Sequence, residues 1–242
     1  MRVKFLQLVA AGLAAVSVLL SPAAADRTKV AYTPAYAGVC EACRFTDRQM
    51  RGWSLNGGIY RGADFSGADL SRVSALGTDF SGAVFLETSL QRAMLSEALL
   101  VDADLSGARL SDVRANGSQM TGAILARADL RGGHLIGASL RGADLTDAKA
   151  DTAVFSGANL MGARLEGATL TGARFDGANL TGARFDGADL SGASFLDARL
   201  SGADFRGAIG LDTANLSGAC INGGTQLPAG FSQAMLLCAP EG

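Results

Sequence analysis

Between Leu55 and Phe205 every fifth residue is large and apolar, with three exceptions at Ala75, Ala115 and Ala150. The residue two places before each of these central positions is mostly alanine. A period of five fits neither the 3.6-residue period of an amphipathic helix nor the alternation of a long strand, although positions i−2 and i together keep a local period of two. Short extended pieces separated by regular turns satisfy both. In Ala63-Asp64-Phe65-Ser66-Gly67, residues 63 and 65 then face inward, residue 64 faces outward, and Ser66-Gly67 makes a corner. Glycine suits a corner because it lacks a Cβ and tolerates unusual backbone angles. A chain built this way contacts only its neighbouring units, so the repeat predicts one domain with a quasi-one-dimensional core.

The units Ala68-Asp69-Leu70, Ala128-Asp129-Leu130, Ala143-Asp144-Leu145, Ala158-Asn159-Leu160, Ala178-Asn179-Leu180 and Ala188-Asp189-Leu190 carry the motif Ala-(Asp/Asn)-Leu-x-x. With them the chain resembles the pentapeptide repeat proteins. That resemblance implies an all-β solenoid: a right-handed quadrilateral β-helix with one pentapeptide per face and so twenty residues per coil. Taken four to a coil, the central positions from Leu55 to Phe205 make nearly eight coils. At a strand spacing of about 4.8 Å they form a rod of roughly 37 Å. Residues twenty apart are then expected to stack. Phe155, Phe175 and Phe195 form one such ladder, and Phe65 with Phe85, and Phe185 with Phe205, fall on the opposite face. Ring pairs of this kind add about 0.5 to 1.5 kcal/mol beyond burial. From Phe205 to Leu216 the spacing is one residue too long, which predicts a bulge near Ile209-Gly210. Leu216 and Ile221 resume the pattern, and the last coil is expected to end near Ile221.

The two ends break the pattern. Arg2 and Lys4 precede an apolar run from Leu8 to Leu20 and then Ala23-Ala24-Ala25, which reads as a secretory signal cut after Ala25. The apolar run is shorter than the roughly 20 residues that span a bilayer. The expected product is periplasmic or secreted, without membrane insertion after cleavage. Loss of Arg2 and Lys4 takes the 21 basic residues to 19 against 23 acidic ones, a net charge of −4. A mildly acidic chain carries no footprint for nucleic acid. The expected organisation is a signal over residues 1–25, an N-terminal cap over 26–54, the β-helix over 55–221 and a C-terminal cap over 222–242. Caps are needed because a stacked solenoid otherwise exposes unpaired strand groups. Tyr32, Pro34, Tyr36 and Trp53 supply one cap; Pro228, Phe231 and Ala234-Met235-Leu236-Leu237 supply the other.

Four cysteines in an exported chain point to disulfides, with three pairings formally open. Cys40 and Cys43 precede the rod while Cys220 and Cys238 follow it, so cross-pairing would have to bridge roughly 37 Å. The expected pairs are Cys220 with Cys238, contributing about 3 kcal/mol, and Cys40 with Cys43 as a structural staple. The spacing Cys40-Glu41-Ala42-Cys43 also suits redox exchange or metal chelation. Zinc needs more ligands than this end supplies, however, and the one histidine, His134, is far along the rod. Neither a metal site nor a cofactor is expected.

No catalytic constellation stands out. His134 is outward, with Arg131 nearby but no activated nucleophile; Asp102 lies at a corner and Asp104 on the next outward position, with no cleft to desolvate them. Some pentapeptide repeat proteins resemble the acidic outline of duplex DNA and bind type II topoisomerases. This chain departs from that pattern, since Arg109, Arg164, Arg174, Arg184 and Arg199 share the outward positions with Asp144, Asp189 and Asp204. Asp144, Arg164, Arg184 and Asp204 are expected to form one salt-bridging ladder. Val84, Leu86, Met94, Leu99 and Val101 are apolar at outward positions and form a candidate interaction surface. The coil register spreads them over several faces, so burial through a local irregularity is the expectation for some of them. The resulting functional expectation is a non-catalytic exported scaffold or protein interaction module. A DNA-mimicking topoisomerase ligand, and a redox or metal role at Cys40 and Cys43, are its alternatives.

The inward assignment of the i−2 residues is testable by overpacking. Ala168→Trp should lower the melting temperature; an unchanged value would refute an inward Ala168.

Overall fold

The computed structural model describes residues 38–231. The expected signal segment, the cap residues Tyr32, Pro34, Tyr36 and Ala234-Met235-Leu236-Leu237, and Cys238 lie outside the described residues. Each pentapeptide contributes one outward residue to a parallel β-bridge and two residues to a turn. Bridges join residues twenty apart, beginning with Val39 to Ile59 and running through Asp64 to Val84 and Asp144 to Arg164 as far as Asp189 to Ile209. Four pentapeptides therefore close one coil, each on its own face. The bridge is a pair of backbone bonds: Phe65 N–H donates to Val84 O at 2.7 Å, and Val84 N–H donates to Ala63 O at 2.8 Å.

Extended pieces stay this short because every unit carries its own turn. Ala68 N–H returns to Phe65 O at 2.9 Å, and Gly67 between them has φ 68°. A positive φ at the third turn residue is the type II pattern, which favours glycine. The following extended residue then begins the next face.

Central residues and the alanines two before them form one continuous buried core from Met50 to Phe205. The phenylalanine ladders expected from the twenty-residue register are present. Phe155 stacks on Phe175 at 5.1 Å and Phe175 on Phe195 at 5.0 Å; on the opposite face Phe65 stacks on Phe85 at 5.0 Å and Phe185 on Phe205 at 4.6 Å. These separations match the rise of about 4.8 Å between paired strands, so the rings stack because the backbone does. Across the interior the two ladders meet edge to face, as in Phe175 with Phe185 at 6.3 Å and 87°. At the N-terminal end Phe45 extends one ladder by stacking on Phe65 at 4.9 Å, and Tyr60 stacks on Phe80 at 5.6 Å.

Departures from alanine at i−2 are individually compensated. Thr78 and Thr88 are fully buried, and their hydroxyls donate to Leu55 O at 2.8 Å and Phe65 O at 2.7 Å. Ser118 does the same to Ala115 O at 2.8 Å. Each buried hydroxyl thereby avoids the cost of an unmade bond. Gly58 makes room for Tyr60, since a Cβ at residue 58 would lie 2.5 Å from Tyr60 Cε2.

Both expected boundaries move outward. Val39, Arg44, Gln49 and Ser54 pair with Ile59, Asp64, Asp69 and Ser74, so residues 39–54 are coil where a cap was expected. Phe45 and Met50 hold the central positions there, but Cys43, Arg48 and Trp53 take the places where alanine marks the beat. Trp53 packs part-buried against the core. At the other end the extra residue is taken up by a 3-10 turn, Leu211–Thr213, which follows Gly210 at φ 71° and lets Ser194 pair with Asn215. A second extra residue lies between Cys220 and Gln226, because Arg199 pairs with Cys220 whereas Asp204 pairs with Gln226. Coil pairing thus continues past Ile221, and Thr225 fixes the last stretch by donating to Leu200 O at 2.9 Å.

Gly58→Ala should destabilise the N-terminal coils by about 1 to 3 kcal/mol, because the added methyl meets a ring held between Phe45, Phe65 and Phe80. Chemical denaturation of the variant measures this, and equal stability would show that Tyr60 has room to move.

Candidate interaction surface

With the interior filled, chemistry is confined to the outward residue of each pentapeptide and to the corners. Aspartate and asparagine at the outward position perform a local task first. Asp64 Oδ1 accepts from Ser66 N–H at 3.0 Å, Asp144 from Thr146 N–H at 3.0 Å, Asn179 from Thr181 N–H at 3.1 Å and Asp189 from Ser191 N–H at 3.0 Å. The side chain reaches the backbone two residues on and satisfies a corner donor that the ladder leaves free, the geometry of an Asx turn. Serine or threonine at the corner adds its hydroxyl to the same oxygen, as Ser66 does at 2.6 Å. Many acids that read as surface charge are therefore part of the corner.

These bonds set the titration of the carboxyls. Asp64 is held below its ordinary value by the Ser66 hydroxyl first and the Ser66 N–H second. Asp189 is lowered in the same way by Ser191. For Asp79 and Asp144 burial pushes upward most strongly, but Ser81 with Arg61, and Thr146 with Arg164, together outweigh it and the net direction is down.

Cations pair locally along the same columns. Asp144, Arg164, Arg184 and Asp204 do stand in one column of bridges. Arg164 reaches Asp144 at 3.2 Å, but Arg184 turns to Glu166 at 3.0 Å and Asp204 is taken by Arg206 at 2.7 Å. Glu166 at the adjoining corner thus ties Arg164 to Arg184, at 3.6 and 3.0 Å, while Asp204 is paired apart with Arg206, so the expected single ladder is broken between Arg184 and Asp204. Arg174 pairs with Asp176 at 2.9 Å and Arg131 with Asp129 at 2.6 Å. In each the guanidinium is exposed and the carboxylate part-buried, and pairs with so exposed a partner contribute little stability individually.

The other candidate residues stay apart. His134 is exposed and lies between Arg114 and Val154 in its column, while Arg131 is committed to Asp129. Asp102 occupies a corner with φ 53°, and Asp104 accepts from Ser106 N–H at 2.9 Å. Leu86, Met94 and Leu99 remain exposed, at 40%, 37% and 37%, so the burial expected of this stretch does not extend to them. Val84 and Val101 are half-buried. Val84, Met94 and Leu99 stand in three different bridge columns, so the five do not make one apolar face. Among the described residues no group of three or more His, Cys, Asp or Glu is placed to hold a metal ion.

Cys40 and Cys43 are joined by a disulfide with Cα atoms 5.6 Å apart. The bond spans a corner whose third residue, Ala42, has φ 51°, a conformation that an alanine adopts at a cost. Cys220 is also disulfide-bonded; Cys238, its expected partner, lies outside the described residues.

The family model described as pentapeptide repeats matches in eight copies that together run from residue 54 to residue 209. No curated protein matches the chain. Among solved structures, the chain is similar to HetL, a pentapeptide repeat protein involved in heterocyst differentiation regulation in the cyanobacterium Nostoc sp. strain PCC 7120. Identity there is 28%, over 81% of this chain and 91% of that one, with a TM-score of 0.41. It is similar to QnrB1, a plasmid-mediated fluoroquinolone resistance protein, at 24% identity over 76% of this chain and 91% of that one, TM-score 0.43. A pentapeptide repeat protein of the Arabidopsis thaliana thylakoid lumen is 35% identical over 39% of this chain and 66% of that one, TM-score 0.39.

The lowered aspartates fix the sign of the acid response. Their folded-state affinity for protons is below that of the unfolded chain, so their stabilisation is complete above about pH 4 and is lost as pH falls through the depressed values. Melting temperature should therefore be flat from pH 7 to pH 5 and drop below about pH 4. Asp64→Asn, which keeps the Asx bond, should shallow that drop in a thermal scan across pH.

Proposed function

We propose, from the premise that the chain belongs to the pentapeptide repeat family, that it acts as a non-catalytic exported scaffold or protein interaction module. The observation that supports this most is the uninterrupted buried core from Met50 to Phe205, which leaves a partner only the outer faces and corners to contact. In this reading the chain winds as a right-handed quadrilateral β-helix of nearly eight coils between Leu55 and Phe205, extended at both ends by the less regular coils. Export rests on the charged, apolar and small-residue order of residues 1–25. Oxidised cysteines fit the same compartment. The staple from Cys40 to Cys43 then holds the first corner closed where the chain enters the stack, and the pair has a structural task without redox turnover.

The outer faces suit recognition by shape and mixed charge. Coulombic steering by rows of one sign, which a DNA mimic needs, is weakened by Arg164 and Arg184 standing between Asp144 and Asp204.

Fractionation of cells producing the full chain, followed by crosslinking in the exported fraction, tests the reading. The protein should appear there without residues 1–25 and should crosslink to a distinct protein. Retention in the cytoplasm together with inhibition of a type II topoisomerase would replace it with the DNA-mimic reading.

A further inference from the structure

One corner of the stack differs from the rest in charge. It is formed by residues 51–52, 71–72, 91–92 and 111–112, which lie one above another because Gln49, Asp69, Ser89 and Arg109 before them are bridged in series. Arg51, Ser71, Arg72, Gln91, Arg92, Ser111 and Asp112 line a shallow groove of about 290 Å³ there. Three arginines thus occupy three successive coils. Arg92, Met94, Asp112 and Arg114 line an adjoining hollow, so a fourth guanidinium lies on the next face, beyond Asp112.

Two observations bear on what these arginines can do. Among the described residues no carboxylate lies within ion-pair distance of Arg51 or Arg72, and Arg92 reaches only Asp112, at 3.3 Å. Arg72 and Arg92 also take φ 59° and 58°, as Asp112 and Thr152 do at 56° and 57°, at a turn position where this same corner carries glycine at residues 52, 132, 172 and 192. Long cationic side chains are therefore held where the backbone favours glycine. The turn does not explain them, since glycine serves it better.

We propose that this corner binds an acidic peptide segment of a partner protein, with successive carboxylates lying against Arg51, Arg72 and Arg92. The planar guanidinium forks suit carboxylates, to which they donate two parallel hydrogen bonds. Spacing favours a row of acids over a single ion: at about 4.8 Å per coil the three arginines spread over roughly 10 Å. Arg72 N–H and Arg92 N–H are not free to share the work, being committed to Gln91 O and Ser111 O. Gln91, which lines the groove beside Arg92, supplies a neutral donor. Asp112, which holds Arg92 at 3.3 Å, closes the cationic stretch and sets where the acidic segment must end.

This inference rests on the proposed interaction role. The test is calorimetric titration of the full chain with a hexaglutamate peptide, compared with Arg72→Gly/Arg92→Gly and with Arg199→Ala. Glycine at 72 and 92 preserves the turn, so the double variant keeps its melting temperature. Binding should weaken at least tenfold in the double variant, stay unchanged in Arg199→Ala and be absent for hexalysine. Equal binding by the double variant, or an equal loss in Arg199→Ala, overturns the groove. Displacement of the peptide by equimolar inorganic phosphate also overturns it, by showing a site for a small oxyanion instead. Crosslinking the double variant in the exported fraction separates the two levels. A partner retained there refutes the groove and leaves the interaction role standing, whereas no partner for the unaltered protein refutes the role itself.

Discussion

Each central residue donates its amide to the outward residue one coil later, and each outward residue donates back to the chain one coil earlier, as Phe65, Val84 and Ala63 do at 2.7 and 2.8 Å. This reciprocal offset governs the other features. It brings identical positions of successive coils to the spacing of paired strands, so each residue stacks on the one twenty positions on. Phenylalanines become ring stacks, alanines a narrow wall, and outward residues vertical columns of charge. The interior has no freedom to open a cleft without breaking the offset, which is why the chemistry of the molecule belongs to its outside.

The corners carry a second requirement, and two kinds of residue satisfy it. Glycine supplies the positive φ, and an aspartate or asparagine three residues earlier accepts the amide of the intervening corner residue, as the run from Asp64 through Ser66 to Gly67 shows. The recurring acid therefore records a backbone need as well as a surface property. These carboxylates keep their charge, but in Asp64, Asp144 and Asp189 one oxygen is already engaged by a corner donor and is not free to bond a partner.

Much of this was legible in the sequence because the repeat is two-layered. The five-residue beat places the buried residues, and the twenty-residue register places the Phe155, Phe175 and Phe195 stack. Legibility fails where one layer is missing. Residues 39–54 keep Phe45 and Met50 at the centre but lack alanine beside them, so the beat reads as broken although the amides still pair. The second extra residue near Cys220 leaves no mark, since the turn absorbing it is held by a Thr225 hydroxyl and not by a glycine rule. The arginine corner is hidden for another reason: Arg51, Arg72 and Arg92 are twenty or so residues apart, and at corner positions residue identity reads as noise until the register aligns them. The exposure of Leu86, Met94 and Leu99 was likewise open to two readings until each residue had a face.

The fixed offset also decides which changes of chain length the molecule can absorb. Removing one pentapeptide keeps every later core position in phase but turns all later outer residues onto the neighbouring face, a rotation of about a quarter turn for a four-sided coil. Asp144 and Arg164 would then no longer share a column with Arg184 if the unit lost lay between residues 165 and 183. Removing four units restores every column and shortens the stack by one coil rise of about 4.8 Å. Length variation in such a chain is therefore of two kinds, one that redraws the outer surface at constant core and one that preserves the surface pattern and changes only reach.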